Sequence, residues 1–227
     1  MFFKYLEWIV ATQKIENFDL SYVHTNNEDM IKSMPVKKGT YDDVIHNSDI
    51  VFSLGYWKKI PKNDIENVPM GIVNFHHSYQ LKFQGRHCST WVLMHNEKIH
   101  GSTMHFIDEK IDEGKIIDSD FFTIEDNDVA EDIFFKSNNT GLDLLKKNFM
   151  KIINKNDIDY QFQQREQFCY RAKDLNHEVA LNVVDNDLLR KIRALTFDKM
   201  PSPYLLLEGK KVFLKLEGYD DGILKKQ

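Results

Sequence analysis

Two cysteines, no long apolar run and no excess of positive charge set the first limits on this 227-residue chain. Cys88 and Cys169 are few and far apart, so a reduced, cytoplasmic protein is expected. His87 beside Cys88 allows a thiolate nucleophile, but a lone cysteine is more often a small buried hydrophobe. No stretch of membrane-spanning length is apolar, so no membrane partner is expected. The opening MFFKYLEWIVATQ lacks a basic leader, a long apolar core and a small-residue cleavage site, and does not read as a signal peptide. Net charge is −5, against the basic surface that a nucleic-acid binder normally needs. No internal repeat or low-complexity tract stands out.

What is present is a globular composition: 42% apolar residues, with sixteen Phe and nine Tyr, enough for a packed core. Helical spacing marks residues 2–15, with Phe2, Tyr5, Leu6, Ile9 and Val10 on one face. Residues 18–24 read as a short strand, and DIVFSL at 49–54 as a buried parallel strand ending at Gly55. Pro61 opens a short helix, and residues 71–75 repeat the apolar-strand pattern. STWVLMHN at 89–96 reads as a helix capped by Ser89. Strands follow at 101–107 and 116–124, then a long helix over 128–153 interrupted at Gly141. DYQFQQREQFCYRAKDLNH reads as a polar linker, followed by a short helix from 187 and a hairpin around Gly209. Alternating strands and helices predict an α/β fold with a mainly parallel sheet and a small C-terminal β-hairpin region. The expected division is a catalytic domain over 1–160 and an appendage over 161–227.

The chemistry concentrates at NFHHS, residues 74–78. On a strand, Asn74 and His76 point to the same side, and in an open α/β sheet ligands bind beyond the carboxyl ends of the strands. An amide donor beside an imidazole suits attack of an amine on a carbonyl: His76 takes the proton and Asn74 donates to the oxygen that becomes negative. A carboxylate is needed to orient the ring, and Asp108, Glu109, Asp112 and Glu113 are all candidates by spacing.

GIVNFHHSYQLKFQGRH, followed by GSTMHFIDEKIDEGKIID, resembles the folate-dependent formyltransferases, most closely the branch acting on nucleotide-linked amino sugars. The resemblance rests on Asn74, His76, Ser78, Gly85, Gly101, Thr103, Asp112 and Gly114. It implies a Rossmann-like domain, N10-formyltetrahydrofolate as formyl donor, and Asn74, His76 and Asp112 as the catalytic set. It implies a donor pocket formed by Leu54, Gly55, Tyr56, Ile107 and Gly114. Ser78, Arg86 and His105 would contact the acceptor, a small-molecule nucleotide-linked amino sugar, most simply dTDP-linked. Arg86 offers a fixed fork of donors to a pyrophosphate or carboxylate; His105 in the Thr-x-His position would otherwise be an inward, satisfied strand histidine.

The chain departs from the family in two places. Tyr79-Gln80-Leu81 replaces the usual Leu-Leu-Pro, so the loop lacks its rigidifying proline. The chain also begins at the helix where relatives begin with a strand, which predicts a missing or replaced edge strand. Alternatives weighed on the same residues are methionyl-tRNA or glycinamide ribonucleotide as acceptor, hydrolysis of formyltetrahydrofolate, and an inactive folate-binding relative. Six of the nine histidines fall between 76 and 105, but without zinc-ligand spacing, so no metal is expected. Trp57, Trp91 and Tyr204 are aromatic enough to stack on a base, yet such residues are more often core or interface anchors. The alternating hairpin over 203–217 predicts pairing in a homodimer.

Overall fold

The computed structural model describes residues 5, 7–9, 20, 22–25, 36–56, 58–154, 158–161, 166–179, 186–198 and 200–217. Strands β1 (Tyr22–Val23) and β2 (Lys37–Lys38) pair in parallel. Helix α1 (Tyr41–His46) is nucleated by a capping box in which Thr40 and Asp43 satisfy each other's backbone N–H groups. Strand β3 (Val51–Ser53), helix α2 (Lys62–Glu66) and strand β4 (Ile72–His76) follow, with Pro61 at the N-cap of α2. Then come β5 (Phe83–Gly85), α3 (Cys88–Met94), β6 (Ile99–Phe106) and β7 (Ile116–Thr123). Helix α4 (Ala130–Ile153), strand β8 (Phe168–Tyr170), helix α5 (Asn186–Leu195) and the hairpin β9 (Tyr204–Leu207) and β10 (Lys210–Phe213) complete the order.

The main sheet has the order β3-β4-β6-β7. β3 and β4 are parallel, β4 and β6 antiparallel. This is a mixed α/β, Rossmann-like arrangement with a small C-terminal antiparallel hairpin. The chain folds as two compact units, neither of them a continuous stretch. The first comprises residues 1–76, 103–119 and 141–164; the second comprises 77–102, 120–140 and 165–227. Residues 165–227 fall in one unit with 77–102 and 120–140, and 161–164 fall in the other.

In the first unit the core joins Tyr5, Ile9, Val73, Phe75, Met104, Ile117, Leu145, Phe149 and Ile152. Strand β4 has apolar neighbours on both faces, which is why its run reads Ile-Val-x-Phe without alternation. In the second unit Phe83, Cys88, Val92, Leu93, Ile124, Ala130, Ile133 and Ala194 pack together. Cys88 belongs to that core and donates its thiol to Phe83 O at 3.2 Å, as a small hydrophobe with a weak donor.

Several local expectations give way to tertiary context. The N-cap of helix α3 is His87, at φ 62° and without a side-chain cap bond, so Ser89 lies inside the helix. Gly141 does not break α4; it is buried, and Leu144, Leu145 and Phe149 beyond it bury enough apolar surface to offset its poor propensity. The polar stretch expected as a linker contains β8, which pairs in parallel with β5 because Phe168 and Tyr170 have aromatic neighbours to cover. Tyr5 and residues 7–9 are helical as expected; the rest of 2–15, residues 18, 19 and 21, and Trp57 lie outside the described residues. No described helix is long and apolar enough to cross a membrane.

Candidate active site

Strand β4 carries the two motif residues. Gly71, at φ 87°, precedes it, and a Cβ there would meet the Phe106 ring at 2.9 Å, so the entry to the strand needs glycine. In the antiparallel register Asn74 lies opposite His105 and His76 opposite Thr103. Directly opposed residues on one face of a sheet have their Cβ atoms about 4.5–5.5 Å apart, so β6 places a second imidazole against Asn74.

That second imidazole is fixed at both nitrogens. His105 Nδ1 lies 2.9 Å from Phe106 O, and Nε2 lies 3.2 Å from Asn74 Nδ2. His105 is almost wholly buried. Burial pushes its pKa down to about 4, outweighing the nearby Asp112 carboxylate, which pulls the other way. The ring is therefore neutral at physiological pH.

Of the four acids that spacing left open, the structure brings Asp112 to the histidines. Asp112 Oδ2 is 3.5 Å from His76 Nδ1, and Oδ1 is 3.7 Å from His105 Nε2. The other three are engaged elsewhere: Asp108 Oδ1 accepts from Lys110 N at 2.9 Å, Glu109 pairs with Lys62, and Glu113 pairs with Lys110 at 3.0 Å. Asp112 sits in the left-handed region at φ 53°, a conformation costing about 1 kcal/mol or more for a non-glycine residue. The loop is held in that shape two residues later. A Cβ on Gly114 would stand 1.7 Å from Phe106 O, so the chain closes on β6 only because Gly114 has no side chain.

The two rings of His76 and His105 meet edge to face, with centroids 6.4 Å apart at 83°. With Nδ1 turned to a carboxylate, Nε2 is the atom of His76 suited to exchange a proton with a reactant. The constellation can thus supply a base, an oriented carboxylate and an amide donor on one side of one strand.

The remaining expected site residues fall as follows. Ser53 is the register partner of Asn74, so Leu54, Gly55 and Tyr56 leave β3 alongside it. Gly55 has φ 81°, and Tyr56 stacks on Tyr41 with centroids 5.8 Å apart. Ile107 gives its N–H to Ile72 O at 2.8 Å. In the second unit Arg86 is exposed, its backbone N–H bonded to Tyr170 O at 3.0 Å. Ser78 is fully buried, and its Oγ accepts from Phe83 N at 2.8 Å, which braces the turn that follows the motif. Gln80 and Leu81, in place of the expected proline-bearing loop, both adopt positive φ. Trp91 stacks on Tyr170 with centroids 3.8 Å apart, and Tyr204 packs near Phe213; both are spoken for by protein neighbours. Among the described residues no group of three or more His, Cys, Asp or Glu is arranged to hold a metal ion.

The formyl transferase family model matches residues 37–147, a span that includes Asn74, His76, His105, Asp112 and Gly114. The chain carries a formyltransferase domain. It is 31% identical over 169 residues to the bifunctional polymyxin resistance protein ArnA of Wigglesworthia glossinidia brevipalpis, covering 73% of this chain and 25% of that protein. Two solved structures share the formyltransferase fold at 26% identity. One is an N-formyltransferase from Helicobacter canadensis in complex with folinic acid and dTDP-3-aminofucose, with a TM-score of 0.74 over 86% of this chain and 77% of that one. The other is WlaRD, a sugar 3N-formyl transferase with dTDP and 5-N-formyl-THF, with a TM-score of 0.72 over 92% of this chain and 80% of that one. This chain spans between a quarter and about half the length of the first curated relatives it matches.

Proposed function

We propose that the protein transfers a formyl group from N10-formyltetrahydrofolate to the amine of a nucleotide-linked dideoxyamino sugar, most simply one carried on dTDP. The observation that carries this reading is the convergence of Asn74, His76 and Asp112 within a formyltransferase domain. The likeness to structures whose names specify folate derivatives and dTDP or a dTDP-linked aminosugar supports the choice of donor and acceptor.

The loop residues fit a folate. Leu54 is apolar, Gly55 adopts positive φ, and Gly114 lets its loop close on Phe106 O of β6. Asn74 donates an N–H to the formyl oxygen as negative charge builds there. His76 accepts the proton that the acceptor amine loses as its nitrogen bonds to the formyl carbon. Asp112 holds the His76 ring with Nδ1 toward the carboxylate. The bond from the formyl carbon to N10 breaks, and His76 is placed to return a proton, so that tetrahydrofolate and the N-formyl sugar leave. Preorganised donors of this kind contribute about 10²–10³-fold in rate each.

Incubating the enzyme with N10-formyltetrahydrofolate and a panel of dTDP- and GDP-linked 3-amino and 4-amino sugars tests the reading. Conversion of one sugar to its N-formyl product supports it. Conversion of none, in an enzyme that hydrolyses the donor, replaces it with hydrolysis.

The hairpin exposes Leu206, Leu207, Val212 and Phe213 at 41–56% of their surface. Exposed apolar strands next to an open edge are normally covered, and a second copy of the chain is the proposed cover. Light scattering tests it: twice the 26.8 kDa chain mass supports a homodimer, and the single mass refutes it.

A further inference from the structure

We propose that His105 is a positioning residue that sets the polarity of the Asn74 amide, so that a donor and not an acceptor faces the reacting formyl oxygen; the proposal rests on the formyl-transfer reading above. A primary amide turned by half a revolution keeps its shape but exchanges its oxygen for its NH₂ group. For an oxyanion that exchange is decisive. The NH₂ group stabilises the developing charge and the oxygen repels it. Something must therefore hold Asn74 one way round.

The orientation follows from a backbone carbonyl. Phe106 O can only accept, and it lies 2.9 Å from His105 Nδ1, so the ring proton sits on Nδ1. Asp112 Oδ1, 3.7 Å from Nε2, works toward a second proton there, as does Asp108 at longer range; His76 works against it. Burial decides the matter and keeps the ring singly protonated. Nε2 then carries only a lone pair. The amide group 3.2 Å from it has to be the one that donates. Turned the other way, Asn74 would set its oxygen lone pairs against the Nε2 lone pair in a site shielded from water. One N–H of Asn74 is thus spent on His105, and the second is the one left for the formyl oxygen. The order of cause runs from Phe106 O to His105, from His105 to Asn74, and from Asn74 to the reactant, with no contact between His105 and the reacting atoms.

Two measurements test this. The ¹⁵N imidazole spectrum of the wild-type protein at neutral pH needs no turnover. The Nδ1–H tautomer of His105 supports the proposal. The Nε2–H tautomer, or a doubly protonated ring, overturns it whatever reaction the enzyme runs. The second measurement is a double-mutant cycle on kcat with Asn74→Ala and His105→Phe. A residue acting only through Asn74 costs about 10–10²-fold in the wild-type background and less than about 3-fold in Asn74→Ala, whose amide is already gone. His105→Gln, which can offer a neutral acceptor oxygen, is expected to recover part of the loss, with KM little changed. Equal losses in both backgrounds, or no loss in the first, overturn the proposal. If the wild-type enzyme formylates no amine, the formyl-transfer reading falls, and the amide polarity is still decided by the spectrum.

Discussion

Gly114→Ala is the perturbation whose consequence can be worked furthest. The added Cβ would lie 1.7 Å from Phe106 O, 2.8 Å from its carbonyl carbon and 3.4 Å from Asp108 N. All three are backbone atoms, so no side-chain rotation makes room. Carbon–oxygen contacts of this kind are essentially never under 3.0 Å, and the loop has to retreat by about 1.3 Å. Asp112 is two residues away, on a contact of only 3.5 Å to His76. A misplacement of about 1 Å in a catalytic group can cost about 10²-fold, and overpacking a closed backbone contact about 1–3 kcal/mol. The assay is kcat for formyl transfer together with a urea unfolding midpoint. We expect a loss of about 10²-fold in kcat, with KM for the acceptor changed far less. Gly209→Ala is the comparison. Nothing lies within 4 Å of its Cβ, and only its φ of 74° resists the change, so a small stability loss without a kcat loss is expected. Full turnover and an unchanged midpoint in Gly114→Ala would refute the claim that this glycine seats the Asp112 loop.

Other perturbations have equally definite outcomes. Asn74→Ala is expected to lower kcat by about 10²–10³-fold, and near-normal turnover would remove Asn74 from the mechanism. Asp112→Asn, which keeps the shape and loses the charge beside His76, is expected to lower kcat by about 10²-fold or more. Ser78→Ala strips the acceptor from a buried Phe83 N–H and should destabilise by about 1–3 kcal/mol, read as a urea midpoint; an unchanged midpoint would assign Ser78 no structural task. His105 has its pKa depressed to about 4 in the fold against 6.5 when unfolded. Its contribution is therefore fully present above pH 6.5 and is lost as pH falls toward 4, by on the order of 3 kcal/mol. Urea unfolding at pH 7 and pH 5 should show a smaller acid loss in His105→Gln than in wild type; equal losses would contradict the burial argument.

The pair Asn74 and His76 was legible from period-two geometry, because a strand places alternate residues on one side whatever surrounds it. Asp112 was not, since four acids in one loop satisfy the same spacing. It is singled out by contacts that spacing does not encode: Lys62 and Lys110 engage Glu109 and Glu113, and Gly114 closes the loop on Phe106 O. The part played by His105 also required register. Its alternation in GSTMHFI marks it as inward, but only the β4–β6 pairing sets it opposite Asn74 and not Val73 or Phe75. The bond that Ser78 Oγ accepts from Phe83 N was not legible either, because only the folded turn brings that N–H to the hydroxyl. The missed strand β8 has a similar cause: FCY is too short and too polar in its surroundings to read as a strand, and it becomes one because β5 offers a parallel edge and Phe83 offers a ring for Phe168 at 5.7 Å.

The central claim is amine-dependent formyl transfer at Asn74, His76 and Asp112. Its most direct test is the rate of tetrahydrofolate release from N10-formyltetrahydrofolate, measured with and without the acceptor sugar, in wild type and in His76→Ala. The account predicts release that requires the acceptor and is lost in the variant. Release at the same rate without any amine, or undiminished in His76→Ala, would contradict it.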